Sequence, residues 1–189
     1  KIARSRHVAV TEQTGRVLIF GGLSWDKSTT PRYVPYFQWY DPDGNLFTRP
    51  PEASDSTNLT AHGHAATQLY GGKYLGVVGG DMEDANNVGK LARETGMRIL
   101  EYREGKMQLK MDLALTVPRT GVAVGGQGSR YLVIGGYTSL QPTQYWDLLP
   151  AVAPSALFAG TDILNLKGKD NQPQRQDGPS LSDVGRANM

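Results

Sequence analysis

Three short apolar segments of this chain each end in a pair of glycines. They are Val17–Phe20 before Gly21-Gly22, Leu75–Val78 before Gly79-Gly80, and Leu132–Ile134 before Gly135-Gly136. The two intervals between successive glycine pairs are nearly equal, as the positions of Gly21, Gly79 and Gly135 show. A near-constant period of this kind is the signature of a repeat architecture. The chain is therefore predicted to fold as about three similar units.

Each unit has the pattern of short antiparallel strands joined by turn residues such as Asp41-Pro42-Asp43-Gly44. The strands of the first unit are predicted at residues 6–11, 17–20, 36–40 and 46–47. Those of the second unit are predicted at residues 64–69, 74–78, 97–102 and 107–110. The third unit has three predicted strands, at residues 120–124, 131–134 and 162–166, and no clear outermost strand.

The repeat resembles the kelch repeat, which is the four-stranded blade of a β-propeller. In that family a basic residue or histidine opens the first strand and a double glycine closes the second. Arg6 and His64 precede their double glycines by the same interval, and the interval from Arg119 to Gly135 is one position longer. Glycine suits the end of an inner strand because it permits close backbone approach and positive φ.

The kelch pattern also has a tyrosine followed by an aromatic residue seven positions later. Tyr40 is followed at this distance by Phe47, and Tyr102 by Leu109, where the family prefers tryptophan. The resemblance implies an all-β fold, a partial kelch-type β-propeller of about three four-stranded antiparallel blades. The acidic loop 81–96 has room for one short helical turn.

The blades are assigned to residues 1–168, with the third blade incomplete. Residues 169–189 lose the strand pattern and are rich in Gln, Pro, Asp, Ser and Gly, so they are predicted to be an extended or disordered tail. Propellers close with four to eight blades. The missing blades are expected from another part of a longer polypeptide, another copy, or another protein.

Composition excludes several kinds of chemistry. The chain has no cysteine, which rules out disulfides, thiolate zinc sites and the cysteine–tyrosine cofactor of copper oxidases related to galactose oxidase. It has no Gly-x-Ser-x-Gly motif, and His62 and His64 have no acidic residue nearby in sequence. We therefore expect no catalytic residue, no cofactor and no metal site.

Charge and hydropathy restrict the partners. The net charge is only +2, and the basic residues are scattered, so nucleic acid is not an expected partner. No apolar segment approaches the roughly 20 residues that span a bilayer. The absence of cysteine and the start at Lys1 favour export to a bacterial envelope or the extracellular space, with a cytoplasmic location as the alternative.

The loops after the second strand of each unit are long and emerge on the same side of every blade. They carry aromatic, arginine and acidic residues of the kind that anchor protein interfaces. The predicted partner-binding residues are Trp25, Arg32, Tyr33, Asp81, Glu83, Asp84, Tyr137, Tyr145 and Trp146. The sequence thus favours a non-catalytic interaction or scaffold module that contributes blades to a larger protein or assembly. The alternative is a fragment of a propeller enzyme or carbohydrate-binding protein with an axial pocket.

Overall fold

The computed structural model describes nine segments of the chain. They are residues 3–24, 32–34, 36–48, 63–83, 91–93, 96–103, 106–138, 160–167 and 173–178. The strands of these segments are β1 (Val8–Thr11), β2 (Val17–Phe20), β3 (Leu23–Ser24), β4 (Arg32–Tyr33), β5 (Gln38–Asp41), β6 (Leu46–Thr48), β7 (Ala65–Leu69) and β8 (Tyr74–Val78). They continue with β9 (Asp81–Glu83), β10 (Leu91–Arg93), β11 (Gly96–Arg103), β12 (Lys106–Ala114), β13 (Ala123–Gln127), β14 (Arg130–Ile134), β15 (Thr161–Asn165) and β16 (Gln174–Asp177).

Twelve of these strands form three antiparallel four-stranded sheets, one for each double glycine. The strand orders are β1-β2-β5-β6 in the first sheet, β7-β8-β11-β12 in the second and β13-β14-β15-β16 in the third. Each sheet is a meander in which the double glycine follows the second strand. The predicted all-β fold with about three antiparallel four-stranded blades is confirmed.

Helical structure among the described residues is limited to a 3₁₀ turn at Tyr70–Gly72. The described parts of the acidic loop 81–96 are strands β9 and β10, which pair as a small ribbon. Strands β3 and β4 form a similar ribbon after the first double glycine. In the part of the chain that the structure describes, no helix is long and apolar enough to cross a membrane.

The double glycines fulfil a backbone requirement, as their position in the repeat predicts. All six have positive φ, a region that side chains with a Cβ avoid. A Cβ on Gly22 would lie 2.4 Å from the carbonyl oxygen of Ser5. A Cβ on Gly79 would lie 2.3 Å from the carbonyl oxygen of Arg119, at the start of the next sheet. Any other residue at these positions would force the backbone apart.

Two hydrophobic cores hold the three sheets together. The first core lies between the first and second sheets, where Phe20 and Trp39 pack with Val77 and Leu100. The second core lies between the second and third sheets and includes Val133. The middle sheet is therefore covered on both faces. Its first strand, β7, contacts the first strands of both neighbours, which is the arrangement expected around a propeller axis.

The two tyrosine pairs of the kelch pattern behave differently. Tyr40 lies directly opposite Phe47, and their ring centroids are 4.8 Å apart. In the second sheet the hairpin pairs Arg103 with Lys106, so Tyr102 lies opposite Met107 and Leu109 lies opposite Leu100. Tyr102 instead places its ring 5.3 Å from that of Trp39 in the first sheet. The common spacing thus corresponds to a ring contact only in the first sheet.

The third sheet obtains its outermost strand from the segment 169–189. Strand β16 pairs with β15 in the register Leu164↔Arg175. Its four residues are Gln, Arg, Gln and Asp, so it carries no apolar alternation that would predict a strand. The third sheet thereby reaches the same four-stranded form as the other two.

Candidate partner-binding site

The three sheets can be compared position by position by counting back from the first glycine of each pair. Residues two and four positions before it face the preceding sheet, and we call this side the leading face. Residues one and three positions before it face the following sheet, and we call this side the trailing face. The assignment follows from the strand pairing and from the two cores.

The leading faces are covered in the second and third sheets but not in the first. Leu75 and Val77 of the second sheet, and Tyr131 and Val133 of the third, are between 0 and 8% exposed. The first sheet has Val17 and Ile19 at the same positions, and both are only partly buried. Its Tyr40 and Phe47 share this face, and Phe47 is 43% exposed. Within the part of the chain that the structure describes, the first sheet therefore presents an apolar leading face on which no further sheet packs, with Val17, Ile19, Tyr40 and Phe47 on it.

The trailing faces show the reverse pattern. Leu18 and Phe20 of the first sheet, and Val78 of the second, are at most 3% exposed. The third sheet has Leu132 and Ile134 at the equivalent positions, and both are partly buried. Ile163 lies opposite Leu132 on this face and is also partly buried. Among the described residues, the third sheet therefore presents an apolar trailing face on which no further sheet packs, with Leu132, Ile134 and Ile163 on it.

The loops after the second strands are anchored at their first residue. Leu23, Asp81 and Tyr137 directly follow the double glycines, and all three are buried. Leu23 bridges to Ser5, and Tyr137 bridges to Thr120 at the start of its own sheet. Burial raises the pKa of Tyr137. Asp81 and Tyr137, predicted at the contact surface, thus lie at the base of their loops.

Of the other predicted partner-binding residues, three lie in the described part of the chain. Tyr33 is partly buried and pairs with Leu23 across the ribbon of β3 and β4. Arg32 and Glu83 are on strands β4 and β9 respectively. Four residues lie outside the described part of the chain: Trp25, Asp84, Tyr145 and Trp146. The structure thus brings Arg32 and Tyr33 together on one ribbon and leaves the joint surface of the loops as a prediction.

A buried ion pair joins the start of the third sheet to its third strand. Arg119 and Asp162 are both 0% exposed, and the Arg119 Nη2 to Asp162 Oδ2 distance is 2.7 Å. The Asp162 carboxylate also accepts hydrogen bonds from the backbone N–H of Thr116 at 3.1 Å, from the Thr116 hydroxyl, and from Arg175 Nη1 at 3.3 Å. Burial raises the pKa of Asp162, but the donors Thr116 and Arg119 outweigh it and hold this pKa below its ordinary value.

The first sheet has a counterpart of this ion pair in which the partner of the arginine is an uncharged amide. Arg4 occupies the position of Arg119, and its Nη2 donates to Gln38 Oε1 at 2.9 Å. Gln38 lies opposite Ile19 just as Asp162 lies opposite Val133, so the two contacts are equivalent. The basic residue that the repeat places before its first strand is therefore Arg4 rather than Arg6. Arg6 lies two positions after Arg4 and has a positive φ of 56°. Gly121 lies two positions after Arg119 and also has a positive φ, of 65°.

Among the cavities that the described residues line, two lie between neighbouring sheets. The smaller, of about 40 Å³, is between the first and second sheets and is lined by Trp39, Tyr102 and other residues of both sheets. The larger, of about 290 Å³, is lined by Tyr70, Lys110 and residues of the second and third sheets. Among the described residues, no group of three or more His, Asp or Glu side chains is placed to hold a metal ion.

Comparison with known proteins identifies the fold but not a family. No protein-family model matches the chain, and no curated protein matches it. The chain is similar to a solved structure described as "Structure of YjhT", with a TM-score of 0.71 and 14% sequence identity. The similarity covers 96% of this chain and 53% of the other, so the chain spans about half the length of that structure. The protein thus has a propeller-like fold with three blades.

Proposed function

We propose that this chain is a non-catalytic kelch-type interaction module that contributes three blades to a larger propeller. The observation that carries the proposal is the contrast between equivalent positions. Val77 and Val133 are fully buried on their leading faces, whereas Ile19 at the same position of the first sheet is only partly buried. The third sheet shows the same contrast at Ile134 on its trailing face.

The energetics favour covering both faces. Burying an exposed aliphatic or aromatic side chain completely contributes about 1.5–3 kcal/mol. The uncovered faces hold seven such side chains, each of them already partly buried or, for Phe47, 43% exposed. Well under half of the full value per side chain therefore remains to be gained when a further blade packs on each face. A contiguous apolar face of this kind on a sheet indicates an interaction site.

The loops after the second strands supply the second part of the proposal. Their first residues are fixed by burial, and the ribbons β3–β4 and β9–β10 continue outward from these fixed points. A loop held at its base loses less conformational entropy when it binds. In this proposal, protein partners contact these loops, foremost through Trp25, Arg32 and Tyr33 of the first loop and Tyr145 and Trp146 of the third. Asp81 and Tyr137 support the loops from below.

The proposal can be tested by thiol labelling, because the chain has no cysteine of its own. Single cysteines are introduced at Ile19 and Ile134 in the native protein, and their rates of reaction with a small maleimide are measured. Val77→Cys serves as the covered reference, and Leu109→Cys, at a residue that is 47% exposed, as the open one. The proposal expects Ile19→Cys and Ile134→Cys to react as slowly as Val77→Cys. Rates equal to that of Leu109→Cys would show that the end faces are open to solvent and would contradict it.

A further inference from the structure

We propose that the two uncovered faces bind each other between two copies of this chain, so that two copies close head to tail into a ring of six blades. The proposal rests on the proposed function in assuming that both end faces pack against further blades. It adds the identity of the partner, which is a second copy of the same three blades.

The two interfaces inside the chain define the rule of association. In each of them the trailing face of one sheet packs against the leading face of the next. As far as the described residues show, no further sheet packs on the trailing face of the third sheet or on the leading face of the first sheet. A second copy therefore offers the kind of surface that each end of the first copy requires.

The chemistry of the two faces is compatible. The strand residues on the leading face of the first sheet carry no formal charge, and they are Ala9, Thr11, Val17, Ile19, Gln38, Tyr40 and Phe47. The trailing face of the third sheet has the apolar residues Leu132, Ile134 and Ile163, with Arg130 as its one charged strand residue. Arg4 adds a positive charge beside Gln38 at the double-glycine end of the leading face, whereas Arg130 lies at the opposite end of its strand, next to the turn after β13. The combination of branched aliphatic residues with one tyrosine also matches the internal interface that contains Tyr131.

The size of a closed ring points to two copies. The similar structure is matched over 53% of its length, so a second copy is about as large as the remainder. Two copies of three blades make six, which lies within the four to eight blades of closed propellers. A head-to-tail interface either closes into a ring or continues as a fibre. A ring of two copies uses both faces of each copy and leaves none exposed.

The test is the mass of the isolated 189-residue chain, measured by light scattering after size-exclusion chromatography. The mass of one chain is 20.6 kDa, and the proposal expects twice this value. Ile19→Asp on the leading face and Ile134→Asp on the trailing face are each expected to give the monomer. Leu109→Asp changes an exposed residue that lies on the middle sheet, and it is expected to leave the dimer intact.

Mixing the two monomeric variants distinguishes this arrangement from general apolar association. A pair of Ile19→Asp and Ile134→Asp chains has one interface between two unaltered faces and one between two altered faces. The mixture is therefore expected to recover a heterodimer, while neither variant dimerises alone. Failure to recover it, or a dimer that survives both single substitutions, would overturn the head-to-tail arrangement.

A wild-type chain that stays monomeric at high micromolar concentration would also overturn the inference. The proposed function is judged separately, by the labelling of Ile19→Cys and Ile134→Cys in the native protein. Protection there combined with a monomeric isolated chain means that different blades cover the faces. Labelling of both cysteines in the native protein would remove the proposed function together with this inference.

Discussion

Replacing Asp162 by asparagine tests how the third sheet is held together. The substitution keeps the shape of the side chain but removes the negative charge that pairs with the buried Arg119, and the new amide nitrogen faces groups that donate hydrogen bonds. Removing one member of a buried ion pair costs about 3–5 kcal/mol. Arg119 still donates to the carbonyl oxygens of Val117 at 3.2 Å and Val133 at 3.5 Å. We therefore expect the lower end of this range, about 3 kcal/mol.

The matched control is Gln38→Met in the first sheet, at the equivalent position. Arg4 is only partly buried, so water can replace the lost hydrogen bond. The expected cost is about 1.5 kcal/mol, the lower end of the range for a hydrogen bond that involves a charged group.

Both variants are compared with the wild type by urea unfolding, followed through tryptophan fluorescence. With a urea m-value of about 2 kcal/mol/M, the Asp162→Asn substitution lowers the midpoint by about 1.5 M. Equal midpoints for Asp162→Asn and Gln38→Met would refute the reasoning, because the buried ion pair would then contribute no more than its neutral counterpart.

Three further predictions follow from individual residues. The pKa of Asp162 is lowered in the folded state, so its stabilisation is present above the unfolded pKa of about 3.9 and is lost as the pH falls through the folded value. The difference in unfolding free energy between the wild type and Asp162→Asn should therefore narrow below about pH 4. A constant difference down to pH 2 would contradict this. Gly22→Ala places a Cβ 2.4 Å from the Ser5 carbonyl oxygen at a φ of 85°, whereas Gly15→Ala has a similar φ of 88° and open space around the new Cβ. Urea unfolding should show a loss of unfolding free energy above about 2 kcal/mol for Gly22→Ala and of about 1 kcal/mol for Gly15→Ala. Similar losses for both variants would show that the close approach to Ser5 is unimportant. Trp146→Ala should weaken binding of a native protein partner by about 2 kcal/mol or more, measured by calorimetry, and should leave the unfolding midpoint unchanged. If the variant is unfolded, Trp146 is a core residue. If binding is unchanged, the contact lies elsewhere, and the acidic loop 81–84 is the next candidate.

The strands nearest the double glycines could be predicted from the sequence because their signal is local. Val17–Phe20 and Tyr74–Val78 are observed at the predicted bounds, since a short apolar run that ends in two glycines has few alternatives. The contact between Tyr40 and Phe47 required the strand register, since the same spacing of Tyr102 and Leu109 gives no such pair. Three repeats in a row leave two end faces, because the first and the last unit each lack one neighbour. Which residues lie on these faces could be determined only from the strand register.

Other features depend on contacts that spacing does not encode. Strand β16 has no apolar residue and is a strand because β15 offers it a free edge. Arg4 was missed as the equivalent of Arg119 because the hairpin between the first two strands differs in length from sheet to sheet. Asp162 could have been noted as an acidic residue within an apolar strand, a position that calls for a buried partner.

The structure of the native protein, determined by electron cryo-microscopy or crystallography, tests the central claim most directly. The account predicts a closed propeller with more than three blades, in which Ile19 and Ile134 are as fully buried as Val77 is within this chain. A particle of three blades with Ile19 and Ile134 both in contact with solvent would contradict it.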